Sequence, residues 1–252
     1  MKAREIAAAI EEFAPLATQE PWDNSGFSVG SPDAEVRKVL VAFDCTAGVI
    51  REAVSVGADM VVTHHPLIFG GLKRIDPCDP VGEAVILAVK NGITVYSAHT
   101  NADKAAGGVN SLMASRLELE DVVPLDGSGL VLAGYLHAPL TGSDFCVYVK
   151  DRFGVKDIRS SAPVRSVYKV AASCGSGSSF ADLAESCGAD AFVTGDISYH
   201  HFFTRKDFMV VDVGHYESEI DIVGKFAAVL KEKLPTFAVC TTTHRNNPIY
   251  HY

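Results

Sequence analysis

Two adjacent histidines interrupt the apolar segment VVTHHPLIF, residues 61–69. Formation of a β-strand does not require histidines at these positions. Other polar residues follow apolar segments in the same way: His99 and Asp103 come after ITVYSA, and His215 and Glu219 come after FMVVDVG. Imidazole nitrogens and carboxylate oxygens are ligands that divalent transition metals accept. These residue types therefore point to a metal site, and to the proton transfers that histidines carry out.

The histidine pair, His64 and His65, allows two interpretations. Successive side chains of an extended strand point to opposite faces, and Pro66 favours an extended conformation at His65. The pair therefore suits either one metal ligand next to one core residue, or two ligands that address two different ions. A single histidine at such a position is more often a hydrogen-bonded structural residue, so the metal hypothesis depends on several residues converging.

Glu219 lies four residues after His215, so the two side chains share a face if the helix has begun by residue 215. Glu219 also heads the apolar stripe of the predicted helix SEIDIVGKFAAVLKEKL, residues 218–234. A buried carboxylate is costly unless it is paired or bound to a metal. The alternative is a role in the first helical turn, where acidic residues are favoured.

Alternating strand and helix patterns position these residues. Predicted strands in the first half are residues 39–45, 60–65 and 93–100, with helices after Thr46 and over 79–92. Predicted strands in the second half are residues 169–175, 191–196, 208–214 and 237–243, with helices over 179–188 and 218–234. Strands that alternate with helices predict parallel sheets, and ligands bind at the carboxyl ends of such strands.

An internal similarity relates the two halves. GADMVVTHH, residues 57–65, resembles GADAFVTGD, residues 188–196, although chance matching of a helix end and an apolar strand would explain nine positions as well. We expect an α/β fold of two related lobes with largely parallel sheets flanked by helices. The metal site is expected at the strand C-terminal ends, between the lobes.

The segment VPLDGSGL, residues 123–130, breaks the periodicity with Pro, Asp and Gly and is the predicted hinge. The first α/β lobe is therefore expected over residues 1–125, with most of the metal ligands. The second lobe is expected over residues 126–252, and its last part, about 205–252, is expected to pack back on the first.

Composition excludes several classes of function. The six cysteines of the 252 residues form no C-x-x-C pair, which argues against a thiolate zinc site and against a disulfide framework. A net charge of −9 makes bulk nucleic-acid binding unlikely. Acidic residues in the N-terminal apolar pattern (Glu5, Glu11, Glu12) do not fit a signal peptide, and no long apolar run predicts a membrane span. A cytoplasmic location is therefore expected.

Two further features each allow two interpretations, and three histidines have no predicted role. The loop CGSGSS, residues 174–179, is either a phosphate cradle made of backbone amides or a tight turn. His200 and His201 are either substrate contacts or part of a polar turn. No special role is expected for three other histidines: His137, His244 and His251.

Five motifs, in this order, resemble the NGG-interacting-factor-like dinuclear metal-centre family, also described as GTP cyclohydrolase I type-2-like proteins. They are WDNSGFSVG (22–30), THHPLIF (63–69), SAHTNADKAAGGVN (97–110), TGDISYHH (194–201) and GHYESE (214–219). The resemblance covers almost the whole chain. It implies two divalent metal ions held by His64, His65, Asp103, His215 and Glu219, with Glu219 as the bridge. It also implies a toroidal homohexamer, and the chain lacks the domain that some members carry mid-chain.

The residues and the resemblance together predict a dinuclear metal-dependent hydrolase of a small molecule such as a nucleotide or phosphoester. Nitrogen and oxygen ligands suit Zn, Fe, Mn, Co or Ni alike. His99 and Tyr216 are the predicted catalytic residues, acting in proton transfer or supporting the ligands. The alternative is a metal-binding regulatory or scaffold ring protein without turnover. A DNA-binding ring conflicts with the acidic composition.

Overall fold

The computed structural model describes residues 1–244 and 247–250. It forms two compact units, and each contains one sheet. The first unit comprises Met1–Ala102 and the described residues from Ile222 onwards, and the second comprises Asp103–Asp221. These limits differ from the predicted lobes, whose boundary lay between residues 125 and 126. The stretch from Asp103 belongs to the second unit because its helix at Val109–Arg116 packs on strands of that unit's sheet.

The helices and strands of the first unit begin near the N-terminus. In chain order they are α1 (Ala3–Phe13), β1 (Gly26–Val29), β2 (Lys38–Ala42), α2 (Ala47–Val56), β3 (Met60–Thr63), α3 (Pro80–Lys90), β4 (Thr94–Ser97) and α4 (Thr100–Lys104), which crosses the boundary between the units. The second unit adds α5 (Val109–Arg116), β5 (Glu120–Pro124), β6 (Leu132–Leu140), α6 (Gly142–Phe153), β7 (Arg159–Ser160), β8 (Val167–Ala172), α7 (Ala181–Ser186), β9 (Ala191–Thr194), β10 (Met209–Asp212) and α8 (His215–Glu219). The chain then forms α9 (Asp221–Lys233) and β11 (Ala238–Thr241).

The first sheet has the order β1-β4-β3-β2-β11. Strands β11, β2, β3 and β4 are parallel, and β1 pairs antiparallel to β4 at the edge. Every residue of β3 and β4 is buried, as expected for central strands of a parallel sheet. The prediction of parallel strands separated by helices is confirmed here.

The crossover helices of the first unit begin and end where the sequence predicts. The Thr46 hydroxyl accepts a hydrogen bond from Val49 N at 3.3 Å, and Gly57 ends α2 with a left-handed φ of 69°. Asp79 caps α3 by accepting hydrogen bonds from Val81 N and Gly82 N. Residues of α2 and α3 pack on the sheet in one buried cluster, which fixes the carboxyl ends of β2, β3 and β4.

The second sheet is mixed, with the order β5-β6-β8-β9-β10-β7. Only its central strands β8, β9 and β10 are parallel. The other neighbouring strands pair antiparallel, and β5, β6, β7 and helix α6 are not predicted by the sequence pattern. Gly134 and Pro139 lie within β6 and weaken its strand pattern, which explains the omission.

The internal similarity between the halves corresponds to equivalent local structure. Gly57 and Gly188 both have left-handed φ angles, 69° and 76°, just before β3 and β9. Asp59 and Asp190 then accept hydrogen bonds from backbone amides that precede or open the neighbouring strands β2 and β8, at distances of 2.8 to 2.9 Å. The two-lobe α/β fold is therefore confirmed, with related parallel cores.

The predicted helix over residues 218–234 is two helices, because α8 ends at Glu219 and α9 begins at Asp221. Glu219 itself is buried, with 3% of its surface exposed. In α9, Ile222 and Phe226 are buried and face the core, whereas Val223 is only half-buried. None of the helices among residues 1–244 and 247–250 is long and apolar enough to cross a membrane.

Candidate metal centre

Three histidines of the first unit converge at the carboxyl ends of β3 and β4. His64 and His65 follow β3, and His99 follows β4. One ring nitrogen from each of the three lies within 4.8 Å of the other two. Because β3 and β4 are adjacent parallel strands, their ends bring these residues together, as the sequence predicts.

The paired histidines do not point to opposite faces, because the chain bends after Thr63. The backbone amides of His64 and His65 both donate to the carbonyl of Phe43, at 3.1 and 3.2 Å. Their ring centroids are 4.8 Å apart, and the His64 ring stacks on Phe43. The expectation from an extended backbone was therefore wrong for this pair.

The Nδ1 atoms of all three rings are fixed by oxygen atoms of the same unit. His64 Nδ1 lies 3.0 Å from the carbonyl of Ala98. Because a carbonyl only accepts, the Nδ1 of His64 carries the proton and its Nε2 presents a lone pair. His65 Nδ1 lies 2.7 Å from Asp44 Oδ1, and His99 Nδ1 lies 2.8 Å from Asp23 Oδ1. Carbonyl and carboxylate partners on one ring nitrogen are typical of histidines that bind metal through the other.

The Asp23 side chain is fully buried and is held by several hydrogen bonds. Besides His99, it accepts hydrogen bonds from Asn24 N at 2.7 Å, from Ser25 Oγ at 3.0 Å and from Thr100 N at 3.0 Å. Burial alone would raise the pKa of Asp23, but the bonds from His99 and Thr100 outweigh it and hold the pKa well below its usual range. Asp23 is therefore ionised at neutral pH, in contact with His99.

In the second unit, His215 lies between two carboxylates. Its Nδ1 is 2.7 Å from Asp196 Oδ2, and its Nε2 is 3.0 Å from Glu219 Oε2. The backbone of Asp196 has a φ of 51°, an uncommon conformation for a residue other than glycine. Such backbone strain is often found at functional sites.

Asp103 and Glu219 meet at the thiol of Cys174, which is hydrogen-bonded to both. Burial, together with the two carboxylates, raises the pKa of the Cys174 thiol well above its usual range. Gly175, with a left-handed φ of 56°, passes so close to Glu219 that a Cβ atom there would overlap the carboxylate. The loop after β8 therefore shapes the environment of both acidic residues.

Three amides of the Gly/Ser loop are already engaged, which argues against a phosphate cradle. Cys174 N donates to Asn110 Oδ1 at 2.8 Å, Gly175 N donates to Ser218 Oγ at 3.0 Å, and Gly177 N donates to Thr194 Oγ1 at 3.0 Å. The tight-turn interpretation of this loop is the better one. A cavity of about 460 Å³ lies beside Asp103 instead, with Lys104 and Ser111 among its lining residues.

Three further candidate residues also belong to the second unit. His200 and His201 are exposed in the short 3-10 helix Tyr199–Phe202, where His201 bonds Ser198 and His200 packs on Tyr199. This placement fits the polar turn. Tyr216 is half-buried in α8, directly after His215.

Asp44 and Cys174 were not among the predicted site residues, and Asp23 was given no chemical role within the motif WDNSGFSVG. The signal for Asp44 was present, because it follows strand β2 in VLVAFDC as His64 follows β3. Cys174 likewise follows β8. The contact of Asp23 with His99 depends on the path of a loop 76 residues away in the chain, which no local pattern reports.

Comparison with known proteins identifies the family. A family model described as Duf34/NIF3 (NGG1p interacting factor 3) matches residues 1–248. This chain belongs to the Duf34/NIF3 family. The resemblance carried by the sequence motifs is therefore confirmed.

Individual known proteins also match along nearly their whole length. A curated relative from Clostridium perfringens, named GTP cyclohydrolase 1 type 2 homolog, is 35% identical over 243 residues, covering 93% of each chain. The crystal structure of a Bacillus cereus protein related to NIF3 shares the fold, with a TM-score of 0.92 at 23% identity, covering 100% of this chain and 99% of that one. Reduced HcgD from Methanocaldococcus jannaschii has a TM-score of 0.84 at 29% identity, covering 97% and 98%.

Proposed function

We propose that this Duf34/NIF3 protein is a dinuclear metal-dependent hydrolase that acts on a small molecule, with a nucleotide or phosphoester as the substrate class. The proposed metal ligands are His64, His65, Asp103, His215 and Glu219, with Glu219 bridging two ions. The observation that carries the proposal is shared by the strand-end histidines of both units. Each has its Nδ1 fixed by a carbonyl or carboxylate oxygen, which orients Nε2 as the ligand atom.

The chemistry of the ligand set fits divalent cations. Imidazole nitrogens and carboxylates suit Zn, Fe, Mn, Co or Ni, and the set contains no thiolate that would favour a closed structural zinc site. When bound, a pair of such ions polarises the scissile bond of a substrate and lowers the pKa of water toward neutrality. Three of the proposed ligands, His64, His65 and His215, also have a carboxylate or carbonyl neighbour that holds the ring in orientation.

His99 is the proposed proton-transfer residue. Its Nδ1 donates to the buried Asp23 carboxylate, so Nε2 is the atom that accepts and returns a proton. The negative charge of Asp23 stabilises the imidazolium that forms when Nε2 takes a proton. Tyr216, beside His215, has a supporting role in which its hydroxyl orients the ligand or the substrate.

Two observations support a small-molecule substrate. The cavity beside Asp103 has a volume of about 460 Å³, within the usual range for small-molecule sites. The name of the Clostridium perfringens relative refers to a GTP-processing activity, which is consistent with a nucleotide. We further propose that the chain acts as a toroidal homohexamer in the cytoplasm.

The alternative function is that of a metal-binding regulatory or scaffold ring without turnover. The burial of the proposed ligands favours it, because His64 is fully buried and Asp103 and Glu219 are 6% and 3% exposed. Closed, buried metal sites are typical of structural rather than catalytic roles. A substrate must reach an open coordination position, so turnover decides between the two functions.

The test is hydrolysis of a panel of nucleotides and phosphoesters by the purified protein supplied with each candidate metal. Glu219→Gln removes the charge of the bridging carboxylate and is expected to abolish turnover while circular dichroism shows an intact fold. Glu217→Gln, the same change in the same short helix, is the matched control and keeps turnover. Full activity of Glu219→Gln would refute the hydrolase, and metal binding without turnover of any substrate would favour the scaffold function.

A further inference from the structure

Two exposed aromatic rings border the histidine cluster of the first unit. Trp22 and Phe69 expose 59% and 54% of their surfaces. Their ring centroids are 5.9 Å apart, and both rings also contact His99, at 6.4 and 5.9 Å between centroids. Trp22 and Phe69 therefore form two adjoining aromatic surfaces, tilted 58° to each other and here called the aromatic platform, next to the proposed proton-transfer residue.

Hydrogen bonds anchor the two loops that carry the platform. Asp23, next to Trp22, is buried and hydrogen-bonded to His99 and Thr100. Asn24 Nδ2 donates to the carbonyl of Ile68, the neighbour of Phe69, at 2.5 Å and so links the two loops. These hydrogen bonds anchor the residues next to two rings that are more than half exposed. Large apolar faces that are ordered yet exposed are characteristic of binding sites, because the ordering cost has been met before the ligand arrives.

We propose that the aromatic platform of Trp22 and Phe69 binds a planar nitrogen heterocycle of the nucleobase class by stacking. This inference names the substrate class of the proposed hydrolase site, and in that respect it rests on the proposed function. Every nucleobase has a π-face that stacks on aromatic side chains, whereas a sugar phosphate has none. A ring stacked parallel to the Trp22 indole is inclined at 74° to the His99 ring, as the indole itself is.

A second exposed aromatic pair provides a matched control. Tyr199 and Phe203 of the second unit are 71% and 74% exposed, with ring centroids 5.4 Å apart, and both contact His200. This pair has the same composition of two aromatic rings and a histidine. It lies beside the exposed His200 rather than beside the His64, His65 and His99 cluster, so no stacking role is assigned to it.

The test uses the intrinsic fluorescence of Trp22, which is the single tryptophan of the sequence. The purified protein is titrated with guanosine 5′-monophosphate and adenosine 5′-monophosphate, with excitation at a wavelength that the nucleotides do not absorb. Ribose 5-phosphate is the non-aromatic control. We expect saturable quenching by both nucleotides and none by ribose 5-phosphate.

Variants locate the binding surface. Phe69→Leu is expected to weaken nucleotide binding roughly tenfold, since removal of one stacking ring typically has an effect of this order. Phe69→Tyr keeps an aromatic ring and is expected to bind nucleotides as the unmodified protein does. Phe203→Leu is expected to leave nucleotide binding unchanged. Absence of saturable quenching, equal quenching by ribose 5-phosphate, or equal weakening by Phe69→Leu and Phe203→Leu would overturn the proposal.

Two further readouts separate this proposal from others. Quenching is measured before and after treatment with a chelator. Nucleotide binding by stacking can then be assessed even if the protein holds no metal or shows no turnover. Sedimentation equilibrium of Phe69→Leu is expected to give the mass of the unmodified protein. A loss of mass would show that the platform is covered by a second copy of the chain and would overturn its assignment to a heterocycle.

Discussion

Asp23 and His99 share a hydrogen bond, with 2.8 Å between Asp23 Oδ1 and His99 Nδ1 and no exposed surface on the aspartate side chain. The contact joins the WDNSG loop to the end of β4. It gives the loop a chemical role, since Asp23 sets which nitrogen of His99 carries the proton. The same loop presents Trp22 to solvent, so one buried carboxylate organises both the proposed proton-transfer residue and the aromatic platform.

The stability of the protein should depend on the charge of Asp23. Its pKa in the folded state lies below the usual value, so it stabilises the fold above about pH 4 and the contribution is lost as the pH falls further. Asp23→Asn cannot accept all of the same hydrogen bonds and is expected to reduce the free energy of unfolding at pH 7 by about 1–3 kcal/mol. It should also make the loss of stability between pH 7 and pH 3 smaller.

Urea unfolding at the two pH values, with a chelator present, measures both effects. Asp33→Asn is the control, because Asp33 is exposed and pairs only with the exposed Arg4 among the described ion pairs. An unchanged pH dependence in Asp23→Asn would show that the carboxylate contributes nothing to the acid sensitivity of the fold.

His99 should be needed for turnover and not for metal retention. His99→Gln keeps a hydrogen-bonding group next to Asp23 and removes the titratable ring, so turnover is expected to fall by about 10²–10⁴-fold. The metal content per chain should stay within error of that of the unmodified protein. Loss of metal together with activity would instead make His99 a ligand, as its place in the three-histidine cluster permits.

Gly175 should be required for the position of Glu219. Gly175→Ala adds a Cβ atom that overlaps the Glu219 carboxylate, in addition to the strain of a left-handed φ. Gly188→Ala is the matched control, because Gly188 has a φ of 76° and open space around the added atom. Both variants should lose about 1–2 kcal/mol of stability from backbone strain, and only Gly175→Ala should also lose metal affinity. Equal metal affinity in the two variants would contradict this role.

The cysteines should differ sharply in reactivity. Cys78 is exposed, whereas Cys45 and Cys174 are buried. Burial raises the pKa of Cys45 to about 12, and the pKa of Cys174 is also raised well above its usual range. Because the thiolate is the reactive form, a thiol reagent should modify Cys78 quickly in the native protein and reach Cys45 and Cys174 only after unfolding. Mass spectrometry of each peptide checks the order, and rapid native modification of Cys174 would contradict it.

The sequence was informative where local pattern and topology coincide. The predicted strands 60–65 and 93–100, separated by a capped helix, indicated a parallel sheet, and polar residues at the strand ends indicated that His64, His65 and His99 would meet. It was less informative for the second unit, where β6 pairs antiparallel and contains Gly134 and Pro139. The bend after Thr63 turns both histidines to one side. It depends on backbone hydrogen bonds to the carbonyl of Phe43, which sequence periodicity does not predict.

The central claim is that the strand-end histidines and carboxylates hold two metal ions. The most direct measurement is the metal content per chain of protein purified without added metal, by inductively coupled plasma mass spectrometry, repeated on His65→Ala and Glu219→Ala. About two ions per chain, lost in both variants, is the result that the dinuclear centre predicts. Substoichiometric metal that neither variant changes would show that these residues have a structural role and would contradict the proposed hydrolase.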